Sequence, residues 1–184
     1  MSVTARTRKT TARVTHLLLS TALLTPALPA HAAEIPATMP ASEIPAYVRV
    51  SPGLATAAQP APETLARLKE LGFRTVLNIR AADEPGVREE AEVVRAQGLG
   101  YHLIPVTPAS FSAEQVDAIA KILDDPSAAP VLFHCSSSNR VGAVFAVLEA
   151  RKGRSCAEAE AVGRSFGLKS PQLIEAARRV GNCR

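Results

Sequence analysis

Two periods of apolar residues alternate along this chain once Tyr47 is passed, one of about two residues and one of about three and a half. "YVRV" (47–50) and "LAT" (54–56) read as short strands. "PETLARLKEL" (62–71) places Leu65, Leu68 and Leu71 at helical spacing, with Gly72 as its stop. "TVLNI" (75–79) is a β-rich run, "GVREEAEVVRAQ" (86–97) a charged helix ended by Gly98, and "YHLIPV" (101–106) the next strand. Ser112 with Gln115 three residues later forms a capping box, and the helix it opens ends near Asp125–Pro126. "VLF" (131–133) is followed by a polar stretch and then, from Arg140, by a helix apolar on nearly every side (Val141, Ala143, Val144, Phe145, Ala146, Val147, Leu148). Such a helix belongs in the centre of a fold. A second capping box, Ser155 with Glu158, and an N-cap followed by proline, Ser170–Pro171, open two more helices.

Strands alternating with helices predict an α/β fold, a largely parallel central sheet flanked by helices. In such sheets the reactive groups lie beyond the carboxyl ends of the strands. The segment 134–140 sits at that end of its strand.

The first stretch follows another logic. Arg6, Arg8, Lys9 and Arg13 precede the apolar "LLLSTALLTPALPA" (17–30), which ends in "AHA" (30–32). That order predicts a signal peptide over 1–32, a periplasmic or secreted location, and no stable membrane span after cleavage. Residues 33–46, rich in Ala and Pro with "EIPA" at 34–37 and 43–46, predict a flexible tether, leaving 47–184 as the catalytic domain. Charge then changes meaning. The chain has 21 Lys and Arg against 17 Asp and Glu, but four basic residues precede Ala33 and all the acids follow it. The mature chain is therefore balanced, and the basic excess is no sign of nucleic-acid binding. Two tyrosines and no tryptophan agree.

"HCSSSNR" (134–140) sets one thiol and one guanidinium at the ends of a small polar loop. A thiolate is stabilised by a helix N-terminus, by cations and by hydrogen-bond donors. Cys135 has access to all three: the following helix, Arg140, and the N–H groups and side chains of Ser136, Ser137, Ser138 and Asn139. The same cradle suits an anion, and Arg140 can grip two oxygens of a tetrahedral group. The layout is one for attack by sulfur on a bound anionic group.

"HCSSSNRVGA" resembles the signature loop of the protein tyrosine phosphatase superfamily. The chain more closely resembles the bacterial beta-lactamase-hydrolase-like family, whose domain is phosphatase-like. The likeness runs through "AAQPAPETLARLKELGFRTVLNIR" (57–80), "GLGYHLIPV" (98–106), "VLFHCSSSNRVGA" (131–143) and "VGRSFGLKSPQLIEAARRV" (162–180). It implies a cysteine-phosphatase-like fold, Cys135 as nucleophile and Arg140 as oxyanion binder. It implies a phosphorylated protein or small phosphoester as substrate and no cofactor. The sequence departs from the phosphatase pattern in having four residues, not five, between Cys and Arg, Ser138 where glycine is common, and Val141 where a hydroxyl is common. The short loop is closer to that of rhodanese-like sulfurtransferases, which makes a Cys135 persulfide fed by a sulfane-sulfur donor the alternative. A non-catalytic anion-binding module is a third.

The loop after "YHLIPV", "TPASF" (107–111), carries no carboxylate, so the candidate general acids are Asp83 and Glu84, after the 75–79 strand. Arg80 either binds an anionic substrate or pairs with Glu84. His134 is expected buried as a neutral, orienting ring, and His102 in the core. No histidines have metal-ligand spacing. Cys156 opens one helix and Cys183 follows the last; if those helices pack antiparallel the two can bridge, leaving Cys135 free.

Overall fold

The computed structural model describes Met1, residues 34–36 and residues 43–183. The expected signal peptide, Met1 apart, lies outside the described residues. Five strands form one sheet in the order β1 (Val48–Ser51), β2 (Leu54–Ala57), β5 (Val131–His134), β3 (Thr75–Asn78) and β4 (Gly100–Leu103). Only β1 runs antiparallel, against β2; the other pairings are parallel. The helices are α1 (Pro62–Leu65), α2 (Val87–Ala96), α3 (Ala113–Leu123), α4 (Asn139–Arg151), α5 (Cys156–Ser165) and α6 (Pro171–Val180). Among the described residues no helix is long and apolar enough to cross a membrane.

Alternating residues of the central strands feed two cores, as the period of a strand requires. Leu77, Ile79, Val131 and Phe133 pack with Val141, Val144 and Val147 of α4 and with Val116 and Ile119 of α3. Val76, Leu132, Ala55 and Ala57 face the other way, onto Leu65, Leu68, Phe73 and Val94. Every residue of β3 and β5 is buried, the polar Thr75, Asn78 and His134 along with the apolar ones, as befits central strands covered on both faces. β4 is an edge, so His102 is exposed rather than in the core.

Two further expectations are corrected. The 33–46 segment is no free tether where it is described: Ile35 and Ile44 are each 1% exposed and complete the second core. The Ile35 N–H donates to the Pro52 carbonyl (2.8 Å) and the Ala58 N–H to the Pro45 carbonyl (2.8 Å). Branched apolar side chains among the prolines are drawn inward by the hydrophobic effect. The helix expected over 62–71 is a single α turn followed by tight turns, in which the Arg67 N–H bonds to Thr64 O and the Gly72 N–H to Lys69 O. Leu65, Leu68 and Leu71 are nonetheless buried, because a spacing of three suits turns closed from i to i+3 as well as it suits a helix.

α4 is the central helix, with Val141 to Val147 all buried. It is set close to α5 by two glycines. A methyl group on Gly142 would collide with the Gly163 carbonyl and the Leu168 backbone, and one on Gly163 would lie 2.7 Å from the Gly142 carbonyl. Cys156 and Cys183 are joined in a disulfide (Cα–Cα 5.3 Å) that ties the start of α5 to the segment after α6. Gly142→Ala is expected to destabilise the fold by about 1–3 kcal/mol through overpacking, measured as a lower urea midpoint. Selective reduction of Cys156–Cys183, or Cys183→Ala, is expected to cost about 3 kcal/mol, from the chain entropy a loop of this length releases; an unchanged midpoint under reductant would contradict this.

Candidate active site

β5 lies between β2 and β3, in register so that Ala57, His134 and Asn78 stand side by side at the carboxyl ends. The chain order reverses here: β4 lies outside β3, and the next strand returns to the inside. Such a switch leaves a crevice above the strand ends. Cys135, the first residue beyond β5, is buried and is the free cysteine of the described residues.

The loop that follows is short and strained. Ser138 adopts a left-handed conformation (φ 61°) as the N-cap of α4. That backbone favours glycine, and a serine there costs on the order of 1–3 kcal/mol. Packing holds it: a side chain on Gly167 would come within 2.8 Å of the Ser138 Cβ. The Asn139 Oδ1 accepts from the N–H groups of Lys169 (2.9 Å) and Ser170 (3.2 Å), so this side chain anchors the loop to the α5–α6 connection rather than presenting itself to an anion. Ser136 and Ser137 are exposed; the Ser138 hydroxyl is buried without a partner. Among the described residues, none of the backbone N–H groups from Ser136 to Arg140 donates in a turn, loop or cap contact. They are the unpaired donors of a helix start, suited to an anion.

Arg140 stands in the first turn of α4. Its Nη1 donates to Glu84 Oε1 (2.5 Å) and its Nη2 to Glu84 Oε2 (3.0 Å) and to Ser136 Oγ (2.9 Å). Burial works against the guanidinium charge, but Glu84 and the neighbouring Cys135 outweigh it, so Arg140 holds its proton more tightly than usual. Arg80, 7% exposed, donates to Glu84 Oε2 (3.1 Å), Gln59 Oε1 (2.7 Å) and the Pro85 carbonyl (2.8 Å). Of the two roles open to Arg80, the structure has the ion pair.

Glu84 is thus clasped by two arginines and by the Ala81 N–H (2.7 Å). The bond from Arg140, reinforced by Ala81 and Arg80 against the opposing effect of burial, brings its carboxyl down to about 2. A group so acidic holds no proton to give near neutrality, which corrects the expectation that Glu84 is a general acid. Asp83 is exposed on the same loop and lines a cavity with Ala82, Pro85, Gly86 and Arg88. Among the described residues it is the carboxylate of the pair left without an arginine partner. In the 107–111 loop the Thr107 and Ser110 hydroxyls bond to each other (2.9 Å).

His134 is wholly buried, its Nε2 2.9 Å from Glu90 Oε1. Glu90, Asn78, Gln59 and Tyr101 form a polar cluster under the loop that the sequence reading passed over. Its signal was present in α2, where Glu90 occupies the buried stripe of Val87, Ala91 and Val94. No group of His, Cys, Asp and Glu among the described residues is arranged to hold a metal.

The Glu84 clasp makes the fold acid-sensitive in a defined window. A carboxyl lowered from 4.5 to about 2 contributes stability in full above pH 4.5 and loses it as pH falls toward 2. Urea titrations of the native protein and Glu84→Gln are expected to show a stability difference that is constant from pH 5 to 7 and shrinks below about 4.5. A difference independent of pH would remove Glu84 as its source.

Comparison with known proteins agrees with this architecture. Residues 47–152 match the family described as beta-lactamase hydrolase-like protein, phosphatase-like domain. A beta-lactamase hydrolase-like protein of Xylella fastidiosa (strain Temecula1) is 29% identical over 126 residues, 66% of this chain and 29% of that protein. The chain therefore spans under a third of the length of that relative. Among solved structures, a DUF442 protein of Shewanella putrefaciens superposes with a TM-score of 0.61 at 22% identity, over 77% of this chain and 94% of that one. The core catalytic domain of the PP-IP phosphatase Siw14 of S. cerevisiae gives 0.57 at 17%, over 72% and 85%. The fold, a five-stranded and mostly parallel sheet between helices, is that of cysteine phosphatases, and the chain belongs to the family of beta-lactamase hydrolase-like phosphatase domains.

Proposed function

We propose that this protein is an exported cysteine-dependent phosphohydrolase of tyrosine or dual-specificity type. The observation that carries this reading is the free Cys135 at the end of the central strand, beneath the N–H groups of the α4 start, unpaired among the described residues, and beside a half-buried, charged Arg140. In the reaction the Cys135 sulfur attacks phosphorus and the bond to the leaving oxygen breaks. That oxygen takes its proton from Asp83 or from water. Water then cleaves the phosphorus–sulfur bond, releasing phosphate and regenerating the thiolate. The loop N–H groups and Arg140 carry the charge on the equatorial oxygens. A phenol needs less help in leaving than an alcohol, so aryl phosphates and phosphotyrosine-like groups, on a protein or a small molecule, are the favoured substrates. Export is supported by the N-terminal pattern and by the Cys156–Cys183 bridge, which belongs to an oxidising compartment.

A second reading, sulfur transfer through a Cys135 persulfide, is favoured by one observation. Glu84 is committed as a carboxylate, and transfer of sulfur to a thiol acceptor requires no general acid. The four-residue spacing to Arg140 points the same way.

One paired assay separates them. The purified protein is expected to release phosphate from an aryl phosphate, with activity lost at least about a thousandfold in Cys135→Ser. Thiocyanate formed from thiosulfate and cyanide, with no phosphate release, would replace the first reading by the second. Neither product, with phosphate still bound, would leave an anion-binding module.

A further inference from the structure

The polar cluster under the loop does not touch the reacting atoms as proposed. Glu90 is 1% exposed and His134 0%. The Glu90 carboxylate accepts from Gln59 Nε2 (2.7 Å) and Asn78 Nδ2 (3.0 Å), and Oε1 faces the His134 Nε2. On the other side of the ring, Nδ1 lies 3.4 Å from the Cys135 carbonyl oxygen. A carboxylate and a carbonyl only accept, so both ring nitrogens face acceptors. A ring protonated on one nitrogen can serve one of them; the imidazolium serves both. Charge leads to the same state. Two amide donors solvate a buried carboxylate but do not neutralise it, and a buried charge calls for an opposite one.

The other ionisable groups around the pair have other partners. The Tyr101 hydroxyl on β4 is bonded by Asn78 Nδ2 (3.0 Å), and Arg95 of α2 lies over its ring. Arg80 reaches the pair only through Gln59, and on the thiol side Arg140 and Arg80 are both clasped by Glu84. His134 is the direct ionisable partner of Glu90. Burial alone would push the Glu90 carboxyl up; the bonds from His134, Gln59 and Asn78 bring it below its usual range, which fits an ionised pair.

We infer that Glu90 is a positioning residue: it holds His134 as an imidazolium against Cys135 and thereby favours the thiolate. Its consequence for chemistry rests on Cys135 being the nucleophile, but the ion pair itself does not.

The sign of one shift tests this. Glu90→Gln keeps the shape and removes the charge. If the pair is ionised, the variant loses the cation next to the sulfur and the thiolate becomes harder to form. If the ring is neutral beside a lone carboxylate, the variant loses an anion and the thiolate becomes easier to form. Iodoacetamide alkylation of Cys135 is followed from pH 4 to 9 in the full-length protein under non-reducing conditions. The expected result for Glu90→Gln is a profile moved to higher pH, with alkylation at pH 6 slower by about tenfold and recovered at high pH. An unchanged or downward-shifted profile overturns the proposal. Should the variant not fold, nitrogen-15 spectra of the His134 ring in the native protein decide the matter. Two protonated ring nitrogens at pH 7 are expected, and a singly protonated ring overturns the proposal whatever the variant does. A native Cys135 that resists alkylation at every pH would instead sink its role as nucleophile, with the ring spectra still deciding the state of the pair.

Discussion

One short segment, residues 80–90, grips the thiol loop at both ends through two carboxylates. Glu84 takes the Arg140 guanidinium and Glu90 takes the His134 ring. Glu90 is enclosed and Glu84 partly so, and a carboxylate taken out of water persists as an anion only when it is paired and hydrogen-bonded. The loop between them is thereby held at its two ends by the β3–α2 connection and the first turn of α2, while the α5–α6 connection holds Ser138 and Asn139 through Gly167 and two backbone N–H groups. A site that must stabilise developing charge benefits from donors fixed before the substrate arrives, because no reorganisation is then needed during the reaction.

This clamp also shapes what the loop will accept. With Arg140 already bidentate on Glu84, an incoming anion competes with a resident carboxylate for the guanidinium. Arg80 shares that carboxylate and so softens the competition. Among the described residues the N–H groups of the α4 start have no such rival, and a helix start of this kind suits an anion. Ser138, in a backbone conformation that suits glycine, shows strain tolerated at the point where the chain turns from strand into helix.

What the amino-acid sequence determined was local in origin. The capping boxes at Ser112 and Ser155 open helices where the side chains can reach the backbone three residues on. The β-rich run at 75–79 and the apolar run at 131–133 supply strands covered on both faces. The thiol and guanidinium of 134–140 stand out because strand, loop and helix start are contiguous in the chain. Tertiary structure decided the rest. Glu84 meets Arg140 across 56 residues and Glu90 meets His134 across 44, contacts set by which strand lies beside which. Glu84 thus passed from proton donor to clamp, since a carboxyl's acidity follows its neighbours in space. Ile35 and Ile44, set among prolines, were indistinguishable from tether until a core with room for them existed. Local hydrogen bonding and periodicity act within a few residues and can be read along the chain; packing and the pairing of buried charge act across the fold and exist only once it has closed.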